Sequence, residues 1–321
     1  MTRHKIILNP VSGRGAGERS IPLIEQSLRE NGLDFDLVRT ERPWHAAELA
    51  QQACVEGYDV VVAAGGDGTS NEVLNGLMRA RPSGQVAAMG VLCVGRGNDF
   101  AFGVGVPGDI ADGCRVLAQG HRRIIDVGRV TGGWYPRGRY FGNGVGIGFD
   151  AVVGFVAARM KRLTGFASYV VAALETIFLY YRAPLLCIEY DGETLTLPGL
   201  MVSTMNGRRM GGGFMMGPDA RPDDGLFDLC IAEQVSRLRI FGLIPKFMNG
   251  TQAAHPAIKM ARARRVTVTA LQGALPAHGD GETLCTEGQA LTMELEPRQI
   301  EIFTAPETCD IRPPQHELDL V

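Results

Sequence analysis

Two short stretches carry residue types that suit chemistry: Gly65-Gly66-Asp67-Gly68-Thr69 and, far along the chain, Asp280-Gly281-Glu282. Gly65, Gly66 and Gly68 lack a Cβ, so a phosphate can come up against backbone N–H groups, and Thr69 adds a hydroxyl. Asp67 repels a bare phosphate. A carboxylate in such a loop makes sense when a cation bridges the two, and magnesium carried by a nucleotide is the usual bridge. The second stretch suits proton transfer. An alcohol is a poor nucleophile until its proton is removed. Asp280 and Glu282 flank a glycine, so a tight turn lets both face one cleft. One would accept a hydroxyl proton while the other helps place magnesium. Each stretch also has a plainer reading: a strand-to-helix connection for the first and a surface turn for the second.

The elements around these residues decide between the readings. Tyr58 to Ala64 is an apolar, β-branched run that predicts a buried strand, and apolar residues at 73, 74 and 77 predict a helix after the glycines. The glycines therefore sit at a helix N-terminus, where phosphate is favoured. Lys5 to Asn9 predicts a first strand, which runs into Asn9-Pro10-Val11-Ser12-Gly13-Arg14-Gly15. Ser12 and Arg14 are candidate phosphate donors there, but no Gly-Lys-Ser/Thr follows, so this is not a Walker loop. Asp36 to Thr40 predicts a strand and Trp44 to Glu56 a helix. Val86 to Val94 predicts another strand, ending in Gly95-Arg96-Gly97-Asn98-Asp99. Asp99 is either a second carboxylate for magnesium-bound water, beside Asp67, or a turn or helix-capping aspartate. The alternation predicts a parallel sheet with helices on both faces, whose ligands bind beyond the carboxyl ends of the strands.

After Gly120 the pattern changes. Strands are expected at His121 to Val130, Tyr140 to Ile147, Leu185 to Tyr190, Gly199 to Asn206, Leu226 to Ala232, Arg265 to Thr269, Gln289 to Leu295 and Gln299 to Phe303. Helices are expected at Ala151 to Arg162, Phe166 to Arg182 and Ser236 to Asn249. The expected fold class is α/β. A nucleotide domain occupies 1–128, and a second, β-rich antiparallel domain occupies 129–303.

The run from Gly65 to Gly76 resembles the signature of the diacylglycerol kinase catalytic-domain family, which includes soluble bacterial lipid kinases and is related to the sphingosine and ceramide kinases. Phosphofructokinases and NAD kinases share only the Gly-Gly-Asp-Gly core; Asn71-Glu72 and Asn75-Gly76 favour the lipid-kinase branch. The loop at Asn9, the segments Asn143 to Asp150, Asn206-Gly207, Met210 to Phe214 and Asp223 to Asp228, and Asp280-Gly281-Glu282 resemble family segments too. The resemblance implies ATP and Mg2+ as cofactors. It implies a nucleotide held by Asn9, Ser12, Thr40, Gly65, Gly66, Asp67, Gly68, Thr69, Ser70, Asn71, Arg96 and Asn98. Arg96 stands where the family has threonine. Asp67 and Asp99 would hold magnesium through water. Asp280 and Glu282 would lie over the nucleotide, with Glu282 the preferred base. A structural metal is implied at the Asp224 carboxylate and the Arg221 and Leu226 carbonyls, with an Asp-Gly turn as the competing reading. The implied fold is a nucleotide domain like that of NAD kinase and phosphofructokinase, to which 304–321 returns.

Composition narrows the partners. Net charge is −3, so no basic footprint for nucleic acid exists. The seven cysteines are scattered without a Cys-x-x-Cys, which argues for reduced thiols in the cytoplasm and against a zinc site. No secretory signal is expected. Phe166 to Tyr181 spans 16 residues and contains Glu175, short of the ~20 a spanning helix needs, so reversible association with a membrane surface is expected. Met201, Met205, Met210, Met215, Met216, Phe214, Phe247 and Met248 fill core gaps or line an acyl-chain cleft. Arg262, Arg264 and Arg265 read as a solvated surface. Oligomeric state stays open, a homodimer included. The leading reading is an ATP-dependent kinase for diacylglycerol or a related lipid alcohol. Its alternatives are a soluble kinase for NAD or a sugar phosphate, and a non-catalytic lipid- or nucleotide-binding protein.

Overall fold

The computed structural model describes residues 2–95, 97–159, 166–179 and 183–306. Arg96, the stretches 160–165 and 180–182, and 307–321 lie outside the described residues, and with them the expected ends of two helices and most of the returning C-terminal segment.

The first part runs β1 (Arg3–Leu8), α1 (Ser12–Glu30), β2 (Asp34–Arg39), α2 (His45–Val55), β3 (Val60–Gly65), α3 (Asp67–Ala80), β4 (Ala88–Cys93), α4 (Asp99–Val104) and α5 (Ile110–Gln119). β2, β1, β3 and β4 pair in parallel, in that spatial order. β3 and β4 are buried along their whole length, as strands covered on both faces must be. One apolar layer, including Ile24, Leu28 and Leu117, covers the face carrying Val60 and Val62. The other, with Ala50, Leu74 and Leu77, covers the face carrying Val61 and Ala63.

The second part continues with β5 (Arg122–Gly132), β6 (Tyr135–Phe141), β7 (Gly144–Gly148), α6 (Phe149–Arg159), α7 (Phe166–Leu179), β8 (Leu185–Tyr190), β9 (Glu193–Met205), β10 (Phe227–Glu233), α8 (Arg237–Asn249), β11 (Ile258–Ala263), β12 (Arg265–Gln272), β13 (Leu275–Gly279), β14 (Glu282–Gly288) and β15 (Ala290–Phe303). Its strand pairs are antiparallel. The fold is thus α/β with a parallel first layer and an antiparallel, β-rich second part.

Three expected strands change shape. The run 140–147 is broken into β6 and β7, because the Asp280 carboxylate captures the N–H groups of Gly142, Asn143 and Gly144 that a straight strand would give to a neighbour. The expected pair at 289–295 and 299–303 is one strand, β15, with a bulge between Glu296 and Ile300. β15 pairs antiparallel with β5 from Leu291 to Phe303, and its end meets β4 in parallel at Ile302–Met89. The chain thus returns to the first layer within β15. Thr304 and Ala305 continue it, donating to His121 O and Gly105 O. Among the described residues no helix is long and apolar enough to cross a membrane.

Candidate active site

Three loops leave the carboxyl ends of β1, β3 and β4 and meet. A Cβ on Gly95 would overlap Gly66 Cα, and one on Gly13 would lie 2.7 Å from Val94 O. These contacts are why glycines stand there: any side chain would hold the loops apart. Gly13, Arg14 and Gly15 all take positive φ, so regular helix begins only after them. Ser12 Oγ faces Gly66, 3.7 Å from the point its Cβ would occupy. Asn9 ties the loops together, donating its side-chain amide to Thr69 Oγ1 at 3.1 Å and its N–H to Ala64 O at 3.0 Å. Thr40 lies beside them, its N–H on Leu8 O. Asn98, in the left-handed conformation, donates to Gly95 O and shapes the third loop.

The α3 N-terminus has Gly66 as its cap, which has no side chain to satisfy the first-turn N–H groups. Those donors and the helix dipole are available to an anion. A Gly95→Ala change is expected to weaken binding of a nucleotide's phosphates at this helix end about tenfold or more, because the methyl must push the β3 and β4 loops apart. Calorimetric titration with a nucleotide checks this.

Asp67 opens α3 and accepts the N–H of Phe100 at 3.0 Å, which docks α4 on it. Its other oxygen, Oδ2, lies 2.9 Å from where a Gly97 Cβ would sit, and Asp99 Oδ2 lies 3.7 Å from the same point. Two carboxylates thus flank one glycine. Loss of solvent, then repulsion from Asp99, push the Asp67 carboxyl up to about 7. Asp99 also accepts Arg209 Nε at 2.9 Å and the Gly212 N–H, while burial raises its pKa. Arg209 in turn covers the Phe102 ring at 3.9 Å. Asp99 is therefore already balanced by a guanidinium, and Asp67 carries the uncompensated charge. That donor set suits a hard cation. Among the described residues there is no cluster of three or more His, Cys, Asp or Glu, so a cation bound here would need oxygens from a ligand or water to complete its shell.

Asp280 and Glu282 prove to have different surroundings. Asp280 and Gly281, both at positive φ, form the turn between β13 and β14. The Asp280 carboxylate accepts from Asn143 N and Gly144 N on one oxygen, and from Gly142 N and Asn71 Nδ2 on the other. With four donors filling it, Asp280 is a staple between α3 and the second part rather than a free base. Glu282 is exposed, and its Oε1 lies 3.0 Å from where a Gly68 Cβ would be, over the first turn of α3.

The structure also moves some residues away from the nucleotide loops. The Asn71 side chain faces the second part, donating to Tyr140 O and Asp280 and accepting from Arg139. Ser70 is buried inside α3. At Arg221, Asp224 and Leu226, where a structural metal is expected, Asp224 pairs with Arg262 and accepts the Leu226 N–H, and Gly225 at φ 78 turns the chain.

The loops open into a cavity of about 530 Å³. Ser12, Asp67 and Gly97 line one end; Val153, Met201, Met210, Phe214, Met216 and Phe247 line the other. Met205 is packed in the core instead, and Met248 is exposed. Two polar residues stand in the apolar half. A Cβ on Gly146 would run into both Asp150 Oδ2 and His278 Nε2. Asp150 accepts from Ser203 Oγ at 2.8 Å and burial pushes its carboxyl up to about 7, while burial pulls His278 down to about 4. Sequence reasoning did not single out Arg209, Asp150 or His278 as site residues. The signal for Arg209 was the pair of arginines leading into Met210-Gly211-Gly212-Gly213.

A parallel sheet whose loops meet at a helix N-terminus is thus joined to a β-rich part with an apolar cavity. Comparison with known proteins gives the family. Residues 3–130 match the diacylglycerol kinase catalytic domain, and residues 143–304 match the YegS C-terminal NAD kinase beta sandwich-like domain. A diacylglycerol kinase of Staphylococcus aureus is 31% identical over 283 residues, covering 87% of this chain and 86% of that protein. One from Staphylococcus saprophyticus is 30% identical over 270 residues, covering 83% and 85%. The chain belongs to the diacylglycerol kinase family, a family of lipid kinases. In fold it is similar to a diacylglycerol kinase structure from Bacillus anthracis, with TM-score 0.71 at 21% identity over 95% of this chain and 97% of that one. It is similar also to an NAD kinase from Archaeoglobus fulgidus solved with ATP, with TM-score 0.50 at 13% identity over 94% and 93%.

Proposed function

We propose that the protein transfers the γ-phosphate of ATP to the hydroxyl of diacylglycerol or a related lipid alcohol. The observation that carries this is the single cavity joining the Gly66–Asp67 helix end to the methionine-rich apolar wall. Phosphate oxygens would lie on the first-turn N–H groups of α3, with Ser12, Gly95 and Gly97 around them. The acceptor's hydrocarbon would lie against Met201, Met210 and Phe214, with Asp150 and His278 as polar partners inside the apolar half. Glu282 would accept the hydroxyl proton as the lipid oxygen bonds to the γ-phosphorus and the bond to the β-γ bridging oxygen breaks, releasing ADP. Magnesium, when bound with ATP through water on Asp67, would neutralise charge building on the transferred phosphoryl group. Asp280 acts on the chemistry by fixing the turn that carries Glu282. Arg209 and the Gly212 N–H hold Asp99 in place beside Asp67.

The test is transfer from labelled ATP with magnesium to diacylglycerol, monoacylglycerol, phosphatidylglycerol, sphingosine and ceramide in mixed micelles, beside NAD and sugar phosphates. A labelled lipid is expected. Label only on a polar acceptor would replace this reading with a soluble small-molecule kinase. ATP bound without transfer to any acceptor would replace it with a binding protein.

A further inference from the structure

Two of the helices that wall the apolar half of the cavity, α7 and α8, have an unusual outer side. The inner stripe of α7 holds Ala172, Ala173, Thr176 and Ile177, all buried. Its outer stripe holds Val171, Leu174, Glu175 and Phe178, at i, i+3, i+4 and i+7, and three of these four exposed residues are apolar. α8 repeats the pattern: Ile240, Leu243 and Phe247 are buried, while Leu238, Phe241, Pro245 and Met248 share the outward face. Leu238 is 82% exposed and Phe178 65%. A surface helix normally turns a polar face to water; one that is apolar on both faces is covered by something. The remaining exposed large apolar residues, such as Val11, Val86, Trp134 and Leu271, are scattered singly over other elements.

Three further observations say what the cover is. α8 carries Arg237, Arg239 and Lys246 and no acid, against the single carboxylate Glu175 on α7. Arg237 lies over the Phe178 ring at 5.8 Å, so charge and apolar surface are interleaved across the two helices. Tyr169 and Ala173 of α7, and Ile240, Leu243 and Phe247 of α8, line the cavity on the helices' other side. The basic cluster on β11 and β12 is not part of this face, and two of its members are engaged, Arg262 with Asp224 and Arg265 with Glu294.

We propose that the outward faces of α7 and α8 dock on an anionic lipid bilayer, so that the cavity behind them fills from that leaflet. Apolar side chains enter the headgroup boundary while arginine and lysine meet anionic headgroups, the combination that holds interfacial helices on membranes. The cavity volume of about 530 Å³ is in the range that encloses a drug-sized ligand. It suits a headgroup and the first part of the chains, with the rest of the hydrocarbon left in the leaflet. The docking rests on the lipid-kinase reading for its purpose, though not for its test.

The experiment is flotation of the full chain with phosphatidylcholine vesicles, without or with about 30 mol% phosphatidylglycerol, in the absence of ATP. Wild-type protein is compared with Leu238→Glu/Phe241→Glu and with Arg239→Glu/Lys246→Glu. Wild type is expected to float with the anionic vesicles. Each double variant is expected to bind them about tenfold less or weaker still, with unchanged melting temperature. Phosphorylation of diacylglycerol in those vesicles should fall in parallel, while that of a short-chain diacylglycerol dispersed in water stays at the wild-type rate. Equal flotation of wild type and both variants overturns the proposal. So does a wild-type dimer in sedimentation that the Leu238→Glu/Phe241→Glu change dissociates, since the cover is then a second copy. Flotation that depends on α8, in a protein that phosphorylates no lipid, leaves the docking intact and removes the kinase reading instead.

Discussion

An Asp67→Asn enzyme is expected to lose phosphoryl transfer by about a thousandfold or more while becoming more stable above neutral pH. The two effects share one cause. Asp67 is removed from solvent beside Asp99, and its carboxyl is pushed up to about 7. The unfolded chain gives up this proton near the ordinary value of 3.8. As pH rises between these values the unfolded state sheds its proton first, so the folded state loses ground; above about 7 the penalty is complete and constant. An amide cannot ionise, retains an oxygen for the Phe100 N–H, and places N–H donors where Asp99 is an acceptor. At pH 8 the variant should be more stable by about 1–3 kcal/mol, and near pH 4 the two proteins should melt together. Melting curves at both pH values, with turnover measured beside them, test the pair of effects. Retained activity would remove Asp67 from the transfer step; an unchanged pH dependence would show that its charge is not strained in the free protein.

The second large effect separates the two carboxylates of the β13–β14 turn. Asp280→Ala leaves the N–H groups of Gly142, Asn143 and Gly144 and the Asn71 amide without their acceptor inside the protein. Each stranded donor costs about 1–3 kcal/mol when buried, so a loss of about 3–5 kcal/mol is expected after partial relaxation. Glu282→Gln changes an exposed side chain and should leave stability within about 0.5 kcal/mol. Its activity should nonetheless fall by about 10²–10⁴. Denaturant unfolding and kcat, measured on both variants, give opposite rankings if the assignment is right. A Glu282→Gln enzyme with wild-type kcat would return the base to Asp280 or to the solvent.

Much of the first layer was legible in the sequence because its signals are local. An apolar β-branched run followed by glycines and a periodic helix is complete within twenty or so residues, and the β3–α3 unit is of that kind. α5 was missed although its punctuation is present, with Asp109 capping Ala111 and Asp112 and Gly120 ending the helix. β13 and β14 were missed for a physical reason: β13 is short, contains Pro276, and the ladder between the two strands is broken by register shifts. The site divides along the same line. Glycines that bring the loops together announce themselves by type. Asp280 reads as a candidate base in sequence because its partners, Asn71 and the Gly142–Gly144 backbone, are distant in the chain. The Asp99–Arg209 pair and the meeting of Asp150 with His278 across Gly146 depend in the same way on strand order, which no short motif encodes.

The closing strand has a consequence for how the protein is made. β4 has β3 on one side, and its other side is finished only by the end of β15, at Ile302. On a ribosome the first four parallel strands emerge early, yet the open edge of β4 waits for nearly the whole chain to be synthesised. Buried strands with an unfilled edge are where nascent chains stick to one another. The second part is therefore synthesised while that edge is still open. A ribosome stalled shortly before β15 would carry a nucleotide layer with every phosphate loop present and its border left unsealed.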